Sequence, residues 1–199
     1  MSWHDLRNTS MIISEKLPDF LYTELLSTTK KRRLEQDWNY NDRLVGALGQ
    51  QSSISWSSEL ELYLTRYGAR LWNDIHQTCP WEFETIGDVS PFLKLRDLWV
   101  NYQRPGEYNP MHCHNGVVSF VIFVDLPYGR EEKEEHRCHG SFQLENDVLE
   151  IDKSWNGTII AFPSHVKHGV YPYKSTNEER VTVAGNLVWN VEGPGEEHY

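Results

Sequence analysis

The chain has 199 residues, a formal net charge of −10 at pH 7 and a hydrophobic content of 39%. This length supports one domain with its own core, and the hydrophobic content argues against a disordered chain. The negative charge repels phosphate backbones, so nucleic acid is not an expected partner. No apolar run approaches the roughly 20 residues that span a bilayer, so we expect no membrane partner either.

Cysteine usage and the first residues both favour a reducing compartment. Cys79, Cys113 and Cys138 lie far apart and outline no disulfide framework. The first ten residues lack the basic stretch followed by an apolar one that marks a secretory signal. We therefore expect a cytoplasmic protein.

Helical periodicity dominates before residue 90. Asp19 is a candidate N-cap for a first helix, and a second amphipathic stretch runs from Ser57 to Gln77. Residues 37–55, between the two helices, are polar and predict a loop. We expect residues 1–90 to form a helical buttress that packs on the rest of the chain within one domain.

Short apolar strands replace the helical pattern after residue 90. Turns with Gly, Pro and Asn separate eight predicted strands, at residues 95–103, 110–114, 117–126, 140–145, 148–151, 158–162, 169–173 and 180–189. Short strands at this spacing are typical of a sandwich or a closed jelly roll. We predict a β core over residues 91–192 and a tail at 193–199, with the charged segment 130–139 as a candidate lid.

Histidines in two distant segments are candidate metal ligands. His112 and His114, in NPMHCHNG, are two residues apart on a predicted strand and point to the same face. A metal site needs two such nitrogen ligands on one rigid strand, but two exposed histidines at a strand end fit the pattern equally well. His168, in GTIIAFPSHVKHGVYP, begins a later strand and can supply a third ligand. His165 falls in the preceding turn, and we expect it at the surface.

A candidate anion anchor follows the third histidine. Arg180 begins the alternating strand RVTVAGNLVW. Such an Arg can form a surface ion pair, or it can bind a ligand's carboxylate in an apolar barrel mouth. Asn186 lies six residues further on and on the same face, so both side chains are expected to converge on one ligand.

The order of these motifs resembles the 2-oxoglutarate/Fe(II) oxygenase superfamily. H-x-H is followed by a strand ending in F-P-S, by H-x-V-x-P, and then by an Arg and an Asn. The resemblance covers residues 95–190 and is greatest to small phage and bacterial members with an N-P-x-H-x-H segment. It implies a double-stranded β-helix, a cupin-like jelly roll. The implied activity is that of a dioxygenase that uses Fe(II), 2-oxoglutarate and O2 to hydroxylate a peptide or a small molecule. The resemblance to phage proteins extends the expected cytoplasmic location to a phage-infected host cell.

The resemblance also implies roles for individual residues. His112 and His168 correspond to the two iron-binding histidines, and Arg180 to the residue that pairs with the distal carboxylate of 2-oxoglutarate. His114 stands where most relatives have Asp or Glu, which completes a catalytic metal-binding set of three histidines. This departure leaves the site one negative charge short and is expected to weaken Fe(II) binding.

Three further residues are implied cosubstrate contacts. Asn186 falls where many relatives place a second polar or basic contact. In the nucleic-acid demethylase branch, an Asn and a Tyr two residues later precede the first iron histidine at the offset of Asn101 and Gln103. Asn101 matches this pattern, whereas Gln103 departs from the Tyr.

Two alternatives stay open at this point. Residues 106–114 satisfy the first cupin motif, G-x5-H-x-H, and three-histidine cupins include metal dioxygenases that need no 2-oxoglutarate. The reaction of such a cupin does not require a residue that binds a ligand's carboxylate at the position of Arg180. The second alternative is a non-catalytic metal-binding or virion-associated jelly-roll module with zinc or no metal, because three imidazoles are also a competent zinc set.

Overall fold

The computed structural model describes residues 12–35, 48–76, 93–131, 138–145, 147–174 and 176–190. Within these residues the elements are, in chain order, β1 (Ile13–Lys16), α1 (Asp19–Glu35), β2 (Gln51–Ser53), α2 (Ser58–His76), β3 (Leu93–Gln103), β4 (Asn109–His112), β5 (Val118–Asp125), β6 (Phe142–Leu144), β7 (Asp147–Leu149), a short 3₁₀ helix (Lys153–Trp155), β8 (Thr158–Pro163), β9 (His168–Val170) and β10 (Arg180–Trp189).

The strands form two antiparallel sheets. The major sheet has the order β1-β8-β5-β10-β3-β2, and the minor sheet has the order β4-β9-β6-β7. A shared apolar cluster lies between them, with Phe142 from the minor sheet and Phe162 from the major sheet. This arrangement is the jelly roll that the short-strand pattern predicted.

Strand β5 shows how the core is divided. Val118, Phe120 and Ile122 pack with the helices in what we call the outer core. Val121 and Phe123, which alternate with them, belong to the inner core between the two sheets. Because both faces of this strand are covered, its sequence is apolar at successive positions rather than at every second one.

Helices α1 and α2 cover the outer face of the major sheet. Helix α1 begins at Asp19, one residue earlier than its predicted role as the N-cap implied, and buries Leu21 and Leu25. The Oγ of Ser57 accepts a hydrogen bond from the N–H of Leu60 at 3.1 Å, which caps the N-terminus of α2. Neither of these two described helices combines the length and the apolar character that a membrane crossing requires.

Two strands of the N-terminal half were missed. Residues 51–53 lie in a predicted loop, but they form β2 and pair with β3, while β1 pairs with β8. These edge strands have three and four residues, too few for a period of two to be visible in the sequence. The N-terminal half therefore extends the major sheet as well as covering it.

Several predicted features fall outside the described residues. The boundary at residue 90 and the C-terminal tail at 193–199 are among them, together with most of the candidate lid, residues 132–137. The domain boundaries and the lid stay predictions.

Candidate metal centre

Three histidines converge at one end of the minor sheet. One possible ligand atom from each of His112, His114 and His168 lies within 4.8 Å of the other two. The ring centroids are 4.9 Å apart for His112 and His114, 4.4 Å for His112 and His168, and 5.1 Å for His114 and His168. Metal–nitrogen bonds are about 2.1 Å long, so two nitrogens that share an ion lie at most about 4.2 Å apart, which is close to the observed spacing.

Strand pairing places two of the ligands. β4 pairs with β9, and His112 lies directly opposite His168. The Nδ1 of His112 is 2.7 Å from the carbonyl oxygen of Pro110, and the Nδ1 of His168 is 3.1 Å from that of Val166. When Nδ1–H donates to a carbonyl, Nε2 keeps the lone pair that binds a metal. These carbonyls therefore fix both the ring orientation and the tautomer.

His114 reaches the same point by a different route. The predicted strand 110–114 ends at His112, and His114 lies in the loop that follows. The N–H of His114 donates to the carbonyl oxygen of Ser164 at 3.0 Å. Convergence of His112 and His114 therefore comes from the loop and not from alternation along a strand. Cys113, which lies between the two histidines, is exposed.

Burial keeps the three imidazoles neutral. Loss of hydration is the largest cause in each case, and it lowers the pKa of His112 from its ordinary value. The pKa of His114 falls to about 4, where His112 and Arg96 add to the effect. The pKa of His168 falls to about 3, with His112 again contributing. Neutral imidazole is the form that binds a metal, so near pH 7 the set fits a divalent cation without losing protons.

The histidines line a narrow cavity of about 40 Å³ that opens to the surface. Its apolar walls include Val121, Phe142, Phe162 and Ala184, which belong to the inner core. Arg180 is the only Lys, Arg, Asp or Glu among the described residues that line it. The cavity thus combines a cluster of neutral imidazoles and a single cation within apolar walls.

Arg180 is 1% exposed. Its Nη1 donates to the carbonyl oxygen of Gly140 at 3.0 Å, and its side chain also hydrogen-bonds Tyr128. Among the residues that the structure describes, no carboxylate pairs with Arg180, and its Nε has no hydrogen-bond partner. A buried guanidinium without a counterion is costly. The site therefore fits an anionic ligand, and a carboxylate matches the guanidinium geometry.

Asn101 and Gln103 also line the cavity. The Nδ2 of Asn101 donates to Thr182 Oγ1 at 3.2 Å, and its Oδ1 accepts from Gln51 Nε2 at 2.7 Å. The Nε2 of Gln103 donates to the carbonyl oxygen of Glu107 at 2.6 Å. The structure thus brings both predicted residues to the cavity that holds the histidines and Arg180.

Asn186 is not brought to this lining. Ser119 Oγ donates to its Oδ1 at 2.8 Å, within the major sheet. Asn186 shares a face with Arg180, but six residues of strand span about 20 Å. The short Asn side chain does not bridge that distance to a small ligand held at Arg180. His165, by contrast, is exposed, as expected.

Two tyrosines that support Arg180 were missed. Tyr128 O–H donates to the carbonyl oxygen of Gly140 at 2.8 Å, and its oxygen is available to the Arg180 side chain. Tyr173 accepts the backbone N–H of Arg180 at 3.0 Å. Both rings are fully buried. No motif marks either residue, because each lies in a loop and reaches Arg180 only through the fold.

Comparison with known proteins gives a family match over the barrel. Residues 97–186 match the model of a family described as "Putative 2OG-Fe(II) oxygenase". The matched residues include the three histidines and Arg180. None of the curated proteins compared with this sequence matches it.

Several solved structures share the fold. A prolyl-4-hydroxylase of Pseudomonas putida is 19% identical, with 94% of each chain covered and a TM-score of 0.58. The viral collagen prolyl hydroxylase of Paramecium bursaria Chlorella virus-1, solved as a 2OG complex, is 14% identical, with 89% of this chain and 95% of that chain covered and a TM-score of 0.53. A Trichoplax adhaerens prolyl hydroxylase, in complex with a peptide fragment of the hypoxia inducible factor, is 15% identical, with 93% and 86% covered and a TM-score of 0.53.

At these identities, the structural likeness shows the fold. The family match covers the part of the chain that holds the three histidines and the buried Arg. Together, the match over residues 97–186 and the shared fold support a place in the 2-oxoglutarate/Fe(II)-dependent oxygenase superfamily, whose members use Fe(II) as the metal and 2-oxoglutarate as the cosubstrate.

Proposed function

We propose that the protein is a dioxygenase that hydroxylates a peptide or a small molecule. In this proposal His112, His114 and His168 bind iron, and Arg180 binds the distal carboxylate of 2-oxoglutarate. The supporting observation is that the buried Arg180, without a carboxylate partner among the described residues, lines the same cavity as three neutral imidazoles. When bound, iron and 2-oxoglutarate activate O2 and supply an oxidant for a C–H bond, with succinate and CO2 as coproducts.

The chain's own residues bind, orient and exclude water. The pairing of β4 with β9 and the two backbone carbonyls hold His112 and His168 in fixed orientations. Apolar inner-core side chains keep water from the reacting groups. Three neutral ligands leave the charge of a divalent cation uncompensated, so the site favours a dianionic cosubstrate more than a site with a carboxylate ligand does.

Among the candidate substrates we favour a peptide. Tyr108 and Met111 are 48% and 41% exposed and lie on either side of Asn109, which lines the cavity. They provide exposed apolar surface next to a residue that lines the cavity. The structural relatives named above are prolyl hydroxylases, and one was solved with a peptide, which supports the same class. The net charge of −10 disfavours nucleic acid.

A three-histidine cupin that does not use 2-oxoglutarate is the main rival activity. Its chemistry gives no role to a buried cation in the cavity. Arg180, and the family match that includes it, therefore favour the 2-oxoglutarate enzyme. A zinc-binding module without activity would keep the histidines but would have no need of the anchor.

Anaerobic titration tests the proposal. Fe(II) and then 2-oxoglutarate are added, a charge-transfer absorption is recorded, and succinate is measured after O2 is admitted. We expect one iron per chain, a band that requires 2-oxoglutarate, and slow succinate formation without added substrate. Iron binding with no effect of 2-oxoglutarate would favour the cupin, and zinc binding without iron-dependent turnover would favour the inactive module.

The matched variants are Arg180→Met and His165→Ala. We expect Arg180→Met to bind iron normally and to need much more 2-oxoglutarate for the band. His165→Ala should behave like the unmodified protein, because its side chain is exposed in the turn.

A further inference from the structure

A row of four polar side chains, three buried and one half-buried, crosses the major sheet beside the metal centre. Asp97, Asn186 and Ser119 are direct neighbours on β3, β10 and β5. Ser164, which follows β8, completes the row through a 3.0 Å contact between its Oγ and that of Ser119. Asn186 is 3% exposed, Ser119 2% and Ser164 0%. Buried polar groups in an apolar sheet are costly unless they are hydrogen-bonded, so this arrangement calls for a reason.

The hydrogen bonds of the row run in one direction. The Oδ1 of Asn186 only accepts, so the single hydroxyl proton of Ser119 goes to Asn186, at 2.8 Å. Ser164 O–H is then the donor to Ser119. The Nδ2 of Asn186 points to Asp97 Oδ2 through a long contact of 3.5 Å, which fixes the orientation of the amide. The row therefore runs from Ser164 to Asp97.

Both ends of the row hold the loop that carries His114. At one end, the carbonyl oxygen of Ser164 accepts the N–H of His114, and the N–H of Ser164 donates to the carbonyl oxygen of Val117. At the other end, Asp97 accepts from Arg96 Nε at 2.6 Å, and Arg96 Nη2 donates to the carbonyl oxygen of Asn115 at 2.6 Å. Ser164 and Arg96, which the polar row connects, thus contact residues 114–117 from its two ends.

This loop needs such support more than the other two ligands do. His112 and His168 lie on paired strands, whereas His114 lies beyond the end of β4. The loop is also tightly packed, because a Cβ on Gly116 would lie 2.9 Å from Ser164 Oγ. A displacement of Ser164 therefore moves the loop and the ring of His114 with it.

We propose that Ser119 and Asn186 are positioning residues that hold the third metal ligand, and that Asn186 does not contact the cosubstrate. The inference rests on the proposed role of His114 as a ligand. It assigns a role to a residue that the strand spacing and the family resemblance both placed at the 2-oxoglutarate site.

The test first measures binding of Co(II), which is used alone as the probe without 2-oxoglutarate. It then measures 2-oxoglutarate binding to the Co(II)-loaded protein. We compare Ser119→Ala and Asn186→Ala with the unmodified chain, and Thr158→Val is the control. Thr158 Oγ1 is a buried hydroxyl atom of the same sheet with no hydrogen-bond partner among the described residues. Ser119→Ala deletes one atom only, so it keeps the test open even if Asn186→Ala folds poorly.

We expect Ser119→Ala and Asn186→Ala to weaken Co(II) binding about tenfold, the size of effect known for groups that orient metal ligands. The visible bands of bound Co(II) should shift, because the ligand geometry changes. Affinity for 2-oxoglutarate at saturating Co(II) should stay within about twofold in Asn186→Ala, because Asn186 does not line the cavity, and Thr158→Val should change neither quantity. Ser119→Thr, which keeps the hydroxyl, should restore Co(II) affinity.

Two opposite results overturn different claims. Unchanged Co(II) binding with weaker 2-oxoglutarate binding in Asn186→Ala would make Asn186 a cosubstrate contact and refute the positioning role. His114→Ala distinguishes this from a failure of the proposed function. If His114→Ala leaves Co(II) affinity unchanged, His114 is not a ligand. If His114→Ala weakens Co(II) binding and Ser119→Ala does not, only the positioning role is wrong.

Discussion

Two parts of the metal centre are built by different means. His112 and His168 lie opposite each other on paired strands, and each ring is oriented by a carbonyl two residues earlier in its own strand or turn. His114 lies in a loop that is held by backbone hydrogen bonds to Ser164 and Leu187 and by the side chain of Arg96, with the polar row linking Ser164 to Asp97 behind it. Backbone pairing tolerates most side-chain substitutions, whereas support through a row of side-chain hydrogen bonds is lost when any one residue of the row is replaced. The two strand ligands should therefore be robust to distant mutations and the loop ligand sensitive to them.

The largest expected effect is at a strand ligand itself. His168→Ala should weaken metal binding by more than about 100-fold, beyond the 10–100-fold range for groups that only support a ligand. His165→Ala, three residues away in the exposed turn, should leave the affinity unchanged. Titration with Co(II) or Fe(II) under anaerobic conditions measures both. Equal losses in the two variants would mean that the turn supplies a ligand after all.

The next largest effect is expected at Arg180, which we propose binds 2-oxoglutarate and not the metal. Arg180→Met should weaken 2-oxoglutarate binding about 10- to 100-fold, because charge-assisted hydrogen bonds contribute about 1.5–3 kcal/mol. Metal affinity should not change, because Arg180 touches none of the three histidines in the described hydrogen bonds. Calorimetry on the metal-loaded protein checks this. Loss of metal binding in Arg180→Met would show that anchor and metal site are not independent.

A smaller effect is expected where the loop packs against its support. Gly116→Ala would place a Cβ 2.9 Å from Ser164 Oγ and 3.2 Å from the carbonyl oxygen of Leu187. Overpacking of this kind costs about 1–3 kcal/mol of the free energy of unfolding. Urea unfolding measures that cost, and Co(II) titration should show weaker metal binding. Gly106→Ala is a useful comparison. Nothing lies within 4 Å of a Cβ there, so its expected cost in the free energy of unfolding comes from the positive φ alone.

The smallest expected effect compares two buried hydroxyls of the same sheet. Thr158→Val removes a hydroxyl with no partner among the described residues, and it should raise the free energy of unfolding by about 1 kcal/mol. Ser119→Ala removes a hydroxyl with partners on both sides and should lower it by a similar amount. Urea unfolding of both variants gives the comparison. Destabilisation by Thr158→Val would mean that its hydroxyl has a partner.

The sequence predicted most of the barrel because most of its strands are short apolar runs separated by turn residues. The predicted strands 158–162 and 180–189 correspond to β8 (Thr158–Pro163) and β10 (Arg180–Trp189). β2 was missed because three residues cannot show a period of two. The order of His, His, His and Arg along the chain was enough to indicate the family.

What the sequence by itself determined is the set of chemical groups and the strands that carry them: three imidazoles, one guanidinium and a jelly roll. Only the tertiary structure decided how they meet. It placed His114 beyond the end of β4, left Asn186 outside the cavity lining, and brought Tyr128 and Tyr173 to Arg180. The physical reason is that periodicity specifies which face of a strand a residue occupies. Distances along that face, loop paths and contacts between distant segments depend on how the two sheets pack and cannot be inferred from local spacing.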